Sequence, residues 1–170
     1  MKYFTKEWHG GGWNGYQLEQ TRDAYFRRLE AIKLTFPQDV SRLATEVDLQ
    51  SGLIRKVRYR NHRPWSLQIL LRCGGVFQGY QDLDLEYNNV IVSEEDLVSL
   101  EMLADIDRVE MLVDEVDFGP PGKYVHRILF SDYDDIEIGF GSVSIKKSRS
   151  SRRSFEKDPV PFAIVPAFTS

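Results

Sequence analysis

The chain has 170 residues, which is enough for one domain with a substantial buried core. Its 42% hydrophobic and 28% charged residues exclude an intrinsically disordered chain, because disorder requires fewer apolar and aromatic groups. No stretch approaches the roughly 20 apolar residues of a membrane span, residues 1–8 lack the apolar run of a signal peptide, and the single Cys73 cannot form an internal disulfide. These features predict a globular protein of the cytoplasm without a membrane segment.

Two amphipathic helices are predicted after a glycine-rich loop at residues 9–15. Pro37 ends the first helix, and a second, shorter apolar stripe runs over residues 40–47. Both stripes need an apolar surface to cover, and a sheet is the expected one. The stripe of the first helix recurs at helical steps and consists of Leu18, Tyr25, Leu29, Ile32 and Phe36.

From Leu53 onward the hydrophobic period changes from 3.6 to 2, which is typical of β-strands. Turns at residues 74–75 and 119–122 predict two hairpins. A short helix lies between the hairpins, since Ser93 followed by Asp96 is close to a capping box. The strands are predicted at residues 53–60, 65–73, 80–92, 109–117, 124–130 and 136–145.

The predicted fold class is α+β, with an N-terminal helical hairpin packed on a mainly antiparallel β-sheet. A strongly curved or barrel-like sheet is a further alternative, because residues 82–92 and 135–145 repeat one strand pattern. Residues 1–145 are predicted to form a single domain. Residues 146–170 are predicted to be a flexible basic linker and C-terminal tail, since the segment begins with a Ser-, Arg- and Lys-rich stretch.

Charges are segregated along the chain although the net charge is only −4. Residues 55–72 hold six basic and no acidic residues, whereas residues 82–117 hold thirteen acidic residues and one basic residue. Segregation of this kind can mark faces that bind partners. It can also mean that basic and acidic strands lie side by side and neutralise each other, which is the interpretation we favour.

The motifs of common catalytic and metal sites are absent apart from fragments. Residues 10–12 lack the Lys and Ser/Thr that complete a phosphate loop, and there is no Gly-x-Ser-x-Gly nucleophile motif. Asp132, Asp134 and Asp135 suggest a calcium loop, but the Gly and Glu positions of that loop are missing, and the single Cys and three His have no zinc spacing. No metal or cofactor is therefore predicted.

One constellation could carry acid–base or metal chemistry. Asp114, Glu115 and Asp117 end a predicted strand, and His126 lies in the next strand across the turn. A hairpin could bring Glu115 and His126 together, with Asp117 or Arg127 at the margin of the site. We favour a structural interpretation, in which the histidine is hydrogen-bonded to a neighbouring carboxylate. The strand register decides whether the two side chains share a face.

A second candidate surface interleaves cations with aromatic side chains. It comprises the basic strand Arg55–Arg63, with Arg58 and Arg60, and the adjacent Trp65. Proteins that bind single-stranded nucleic acid use this combination. The pI of about 5.4 and the absence of a recognised binding motif favour a salt-bridged strand instead.

The opening residues 1–8 read Met-Lys-Tyr-Phe-Thr-Lys-Glu-Trp, and later landmarks lie at residues 47–54, 79–90 and 115–140. In these features the chain resembles a bacterial protein family of unknown function whose members open with a similar segment. In that family a His-Asp pair stands where this chain has Gln50-Ser51. The resemblance implies a bacterial source and supports one domain, and it implies no activity.

Three functions remain open at this point. The absence of catalytic motifs favours a non-enzymatic binding or interaction domain of a bacterial cytosolic protein, with another protein as its partner. A hydrolase-type or metal-dependent enzyme using Glu115 and His126 is the alternative. Nucleic-acid binding through the basic strand is a third and less favoured function.

Overall fold

The computed structural model describes residues 1–10, 15–75, 79–106, 109–131 and 135–150. In this part of the chain, four α-helices and two antiparallel β-sheets form an α+β fold, and neither sheet closes into a barrel. A helical segment precedes the sheets. The predicted α+β class with antiparallel strands is therefore confirmed, and the closed barrel that the sequence left open is not formed by the described strands.

Local sequence signals set the start of two of the helices. Helix α1 covers Lys6–His9, α2 covers Gly15–Ile32, α3 covers Gln38–Thr45 and α4 covers Glu94–Asp105, with a short 3-10 helix at Lys33–Thr35. Pro37 precedes α3, and Phe36 has the extended backbone that a following proline imposes. Ser93 caps α4, because its side chain accepts a hydrogen bond from the Asp96 amide at 2.9 Å.

The strands form a large and a small sheet. The large sheet has the order β1-β2-β3-β7, with β1 at Leu53–Arg60, β2 at Ser66–Gly75, β3 at Gly79–Asn88 and β7 at Ser142–Ser150. The small sheet has the order β4-β5-β6, with β4 at Met111–Phe118, β5 at Tyr124–Phe130 and β6 at Ile136–Phe140. Neighbouring strands are antiparallel throughout, and β4 lies at an edge of the small sheet.

The two sheets face each other across one core. Tyr87 of the large sheet packs on Phe140 of the small sheet, with their ring centroids 5.3 Å apart. Helix α3 contacts β7 and β4, and helix α4 contacts β1 and β6, so each of these helices touches both sheets. The centre of the large sheet's inner face is fully buried at Leu67, Ile69, Leu71, Leu83, Leu85 and Tyr87.

The strand predicted at residues 136–145 is two strands in the structure. The chain leaves the small sheet at Phe140 and enters the large sheet at Ser142, with Gly141 between them. The Gly141 amide donates to the Asn88 carbonyl oxygen at 2.8 Å, and a Cβ on residue 141 would lie 3.0 Å from the Cβ of Asn89. Because the alternating pattern continues through this crossing, the sequence predicted one sheet instead of two.

The predicted domain boundary at residue 145 falls inside β7. Lys146 and Ser148 lie opposite Asp84 and Asp82 of β3, so the basic segment continues the sheet beside an acidic strand. The remainder of the predicted linker and tail, residues 151–170, lies outside the described residues, as do residues 11–14 of the predicted glycine-rich loop.

Leu29 of α2 is 5% exposed and belongs to the core. We expect Leu29→Ala to lower the free energy of unfolding by about 2–5 kcal/mol, because it removes buried methyl groups and leaves a cavity. The control is Leu34→Ala, since Leu34 is 89% exposed; it should change stability by less than about 0.5 kcal/mol. Urea denaturation measures both variants. Equal midpoints for the two variants would contradict the packing of α2 in the core.

Candidate functional site

Glu115 and His126 do not meet. In the register of β4 and β5, Glu115 lies opposite Arg127, and His126 lies opposite Val116. Side chains alternate between the two faces of a sheet, so residues 115 and 126 lie on opposite faces. The predicted pair is therefore not formed, and each of its members has other partners.

The Glu115 carboxylate is buried and holds the start of the chain. Its Oε1 accepts hydrogen bonds from the amides of Tyr3 at 2.6 Å and Phe4 at 2.7 Å. Its Oε2 accepts one from the Lys2 amide at 3.0 Å. A buried carboxylate is tolerated when several donors surround it. Because Glu115 is only 1% exposed and occupied by three amides, its role is to anchor residues 2–4 on β4.

Asp117 continues this anchor on the same face of β4. Its carboxylate forms ion pairs with Arg28 of α2 at 3.0 Å and with Lys2 at 3.3 Å. Burial acts to raise the pKa of Asp117, but hydrogen bonds from the Phe118 amide and from Arg28, together with the arginine charge, hold it below its usual value. Asp117 therefore remains ionised and connects α2 and the N-terminal segment to the small sheet.

His126 is fully buried between the two sheets, where it joins a chain of three polar side chains. Its Nδ1 lies 2.8 Å from the hydroxyl of Tyr87 in the large sheet, and its Nε2 lies 3.1 Å from Oδ2 of Asp114 in β4. A carboxylate can only accept, so Nε2 carries the hydrogen and a neutral ring accepts at Nδ1 from the tyrosine hydroxyl. We call this arrangement the Tyr87–His126–Asp114 chain.

The two ends of the Tyr87–His126–Asp114 chain have different environments. Burial raises the pKa of Tyr87 well above its usual value, and the negative charge of Asp114 raises it further, so the hydroxyl keeps its proton and can donate. The Asp114 side chain is 23% exposed. Of these three hydrogen-bonded side chains, Asp114 is therefore the one that a molecule in solution can reach.

A cleft of about 420 Å³ opens beside Asp114. Residues 4–9, helix α2, the segment after α3 and strand β4 form its walls. Its rings pack on one another, with centroids 4.8 Å apart for Phe4 and Trp8 and 5.1 Å apart for Phe4 and Tyr25. We call it the aromatic cleft; its rings are Phe4, Trp8, Tyr25 and Phe26, and its polar side chains are His9, Arg22, Asp48, Gln50 and Asp114.

Two contacts of the described residues agree with the favoured interpretation of the charge pattern, in which strands of opposite charge lie side by side. Arg58 donates to Gln68 at 3.2 Å, and Gln68 in turn donates to Asp84 at 2.8 Å. Arg72 and Asp82 form an ion pair at 2.8 Å across β2 and β3.

The remaining predicted binding residues lie apart from the aromatic cleft. Arg60 is exposed at the end of β1, opposite Ser66. Arg127 forms an ion pair with Glu137 across β5 and β6 at 2.6 Å. Trp65 lies in a separate cleft with Arg63. The structure therefore does not gather these residues into one site.

Cys73 is not a reactive group in the described structure. Cys73 is 1% exposed, and burial raises the pKa of its thiol to about 12, so it stays protonated at neutral pH. Within the described ranges, no cluster of three His, Cys, Asp or Glu side chains could hold a metal ion. No helix in this part of the chain has the length and apolarity needed to cross a membrane.

The sequence pointed to the stretch of β4 that contacts His126, but the carboxylate that makes the contact is Asp114 and not Glu115. Asp114 belongs to the same acidic cluster as Glu115, and only the register shows that Asp114 shares a face with His126. Tyr87 carried no signal of its own, because its alternating position in β3 is that of an ordinary core residue.

Comparisons with protein-family models, with curated proteins and with solved structures found no match to this chain. The site is therefore interpreted from its own geometry.

Removal of the Tyr87 hydroxyl tests the contribution of its hydrogen bond with His126 to stability. Tyr87→Phe keeps the ring in place but leaves His126 Nδ1 without its donor. We expect the free energy of unfolding to fall by about 1–3 kcal/mol, the usual cost of an unsatisfied buried polar atom. Tyr16→Phe is the control, because Tyr16 is 69% exposed. If urea denaturation gave the same midpoint for both variants and the wild type, the hydrogen bond would not contribute to stability.

Asp117 predicts a specific loss of stability in acid. A depressed pKa in the folded state stabilises the protein above the unfolded-state pKa, and this contribution is lost as pH falls through the folded-state value. We therefore expect the gap in unfolding free energy between wild type and Asp117→Asn to be constant near neutral pH and to narrow below about pH 4. Urea denaturation across a pH series measures the gap. The exposed Asp23→Asn serves as the control; a gap for Asp117→Asn that widened in acid would refute the assignment.

Proposed function

We propose that this protein is a non-enzymatic binding domain that recognises a segment of another protein through the aromatic cleft. The observation that carries this proposal is an open cleft lined by the Asp114 carboxylate and by four aromatic side chains, of which Phe26 is exposed and Phe4 and Tyr25 belong to the core. Binding sites typically combine apolar walls with a few polar groups that fix the orientation of the ligand.

The lining favours a partner side chain with a positive charge. Aromatic rings attract cations through their negative faces, and the carboxylates of Asp114 and Asp48 add charge complementarity. Arg22, which is exposed at the same cleft, can donate to a carbonyl oxygen of the partner. A lysine or arginine next to an apolar residue fits this set of groups.

The competing functions have weaker support. An acid–base enzyme using Glu115 is disfavoured because that carboxylate is buried and occupied by backbone amides. Such an enzyme would have to use Asp114, with His126 behind it. Nucleic-acid binding on the outer face of the large sheet is disfavoured because Asp82 forms an ion pair with Arg72 there and the Asp84 carboxylate lies beside Arg58 and Gln68.

A bacterial cytoplasm is the setting that we propose. The bacterial source rests on the resemblance of the opening residues, and the compartment rests on Cys73, which is a buried free thiol.

A pair of short peptides tests the binding function. One peptide carries lysine next to phenylalanine, and its partner has glutamine in place of the lysine. We expect the lysine peptide to shift the NMR signals of Trp8 and of residues 112–114, with the glutamine peptide binding at least about tenfold more weakly, since a charged hydrogen bond is worth about 1.5–3 kcal/mol.

Two variants provide the controls for this titration. Asp114→Asn keeps an acceptor for His126 and removes the charge, so it should weaken binding of the lysine peptide to the level of the glutamine peptide. Asp39→Asn removes an exposed carboxylate of α3 that does not line the cleft, and binding should be unchanged. Equal affinity of the two peptides, or no effect of Asp114→Asn, would refute recognition of a cation in the aromatic cleft.

A further inference from the structure

A second cleft lies at the corner where three chain segments meet. Its volume is about 540 Å³, and it shares no lining residue with the aromatic cleft. The segments are residues 63–65 before β2, residues 89–91 after β3, and Lys123 before β5. We call it the Trp65 cleft.

Hydrogen bonds join the three segments, so the cleft is formed in the free protein. The Val90 amide donates to the Trp65 carbonyl oxygen at 3.3 Å, and Lys123 Nζ donates to the Asn89 carbonyl oxygen at 2.8 Å. Ile91 exchanges two backbone hydrogen bonds with Gly139 of β6, at 2.7 and 2.8 Å. Because the site is already formed, binding of a ligand does not carry the entropic cost of ordering these segments.

Two apolar side chains of this cleft remain open to solvent. Trp65 is 43% exposed, and Ile91 is 52% exposed. A partly exposed indole next to an aliphatic side chain offers a flat apolar platform on which a planar ring can stack.

The charge of the corner is positive. Arg63 and Lys123 line the cleft, and among the described residues no carboxylate lines it. Within the same described ranges, Arg63 forms no ion pair or hydrogen bond. At the end of the large sheet next to this cleft, the paired positions of the four strands are Arg60, Ser66, Asn88 and Ser142. None of these residues is acidic.

We infer that the Trp65 cleft binds a nucleotide. The base would stack on the Trp65 indole, and the phosphate would lie between the guanidinium of Arg63 and the ammonium of Lys123, since phosphate attracts both groups. This site is distinct from the outer face of β1, where Arg58 is linked through Gln68 to Asp84. The same chemistry is present in a free nucleotide and in a nucleotide of a single strand.

Quenching of Trp65 fluorescence provides the test, with thymidine monophosphate and single-stranded oligothymidylate as probes. We expect saturable quenching by at least one of them, and Trp65→Leu should remove that signal. Arg63→Gln should weaken binding at least about fivefold and reduce its dependence on salt, because a phosphate contact is lost. Lys56→Gln removes a charge from the middle of β1, opposite Leu70, where it does not line the Trp65 cleft, and should leave the affinity unchanged.

The two probes distinguish the sources of the nucleotide. Equal affinity for both probes would identify a free nucleotide as the ligand, and binding of the oligomer alone would identify a single strand; either supports the inference. Three results would overturn it: no quenching by either probe, an equal effect of Lys56→Gln and Arg63→Gln, or equally strong competition by polyglutamate. Circular dichroism confirms folding of Trp65→Leu, and the surface variant Arg63→Gln tests the site independently of that residue.

Discussion

A buried carboxylate must be compensated by donors, and the compensation of Glu115 determines how the candidate site is built. Its oxygens collect the amides of residues 2–4, which fastens the start of the chain along β4. This contact places Phe4 in the core and Trp8 next to it, so two of the four rings of the aromatic cleft depend on one side chain. A residue that sequence patterns suggested as a catalytic acid thus acts as a structural anchor, because desolvation leaves it no free oxygen with which to react.

Strand β4 serves two purposes because its side chains alternate between two environments. Glu115 and Asp117 hold the N-terminal segment and helix α2. Asp114 lies on the other face, where it connects the aromatic cleft to His126 and, through it, to Tyr87 in the opposite sheet. The position of Asp114 at the edge of the small sheet makes it both a neighbour of the core and a group that a ligand can contact.

Helix boundaries, which depend on neighbouring residues, could be predicted from the sequence. The pairing of strands that are distant in the sequence could not. The helix start at Ser93 and the helix break at Pro37 follow from side-chain capping and from the proline ring, and both were predicted. The passage of the chain between sheets at Gly141 was missed, because an alternating pattern is the same in one sheet as in two. The predicted pair of Glu115 and His126 was wrong because the strand register could not be predicted. A shift of one residue moves every side chain to the opposite face of the sheet. The hydrophobic pattern of a strand that is buried on both faces does not determine this shift.

The hydroxyl of Tyr25 accepts a hydrogen bond from the Val116 amide at 3.0 Å, on the side of β4 that has no neighbouring strand. Burial raises the pKa of Tyr25 above its usual value, so the hydroxyl stays neutral there. An uncovered edge strand presents a row of free amides and carbonyls on which strands of other molecules can add, and this is a common origin of aggregation. By covering the Val116 amide, Tyr25 of helix α2 leaves one fewer backbone donor on this edge with which a strand of another molecule could pair.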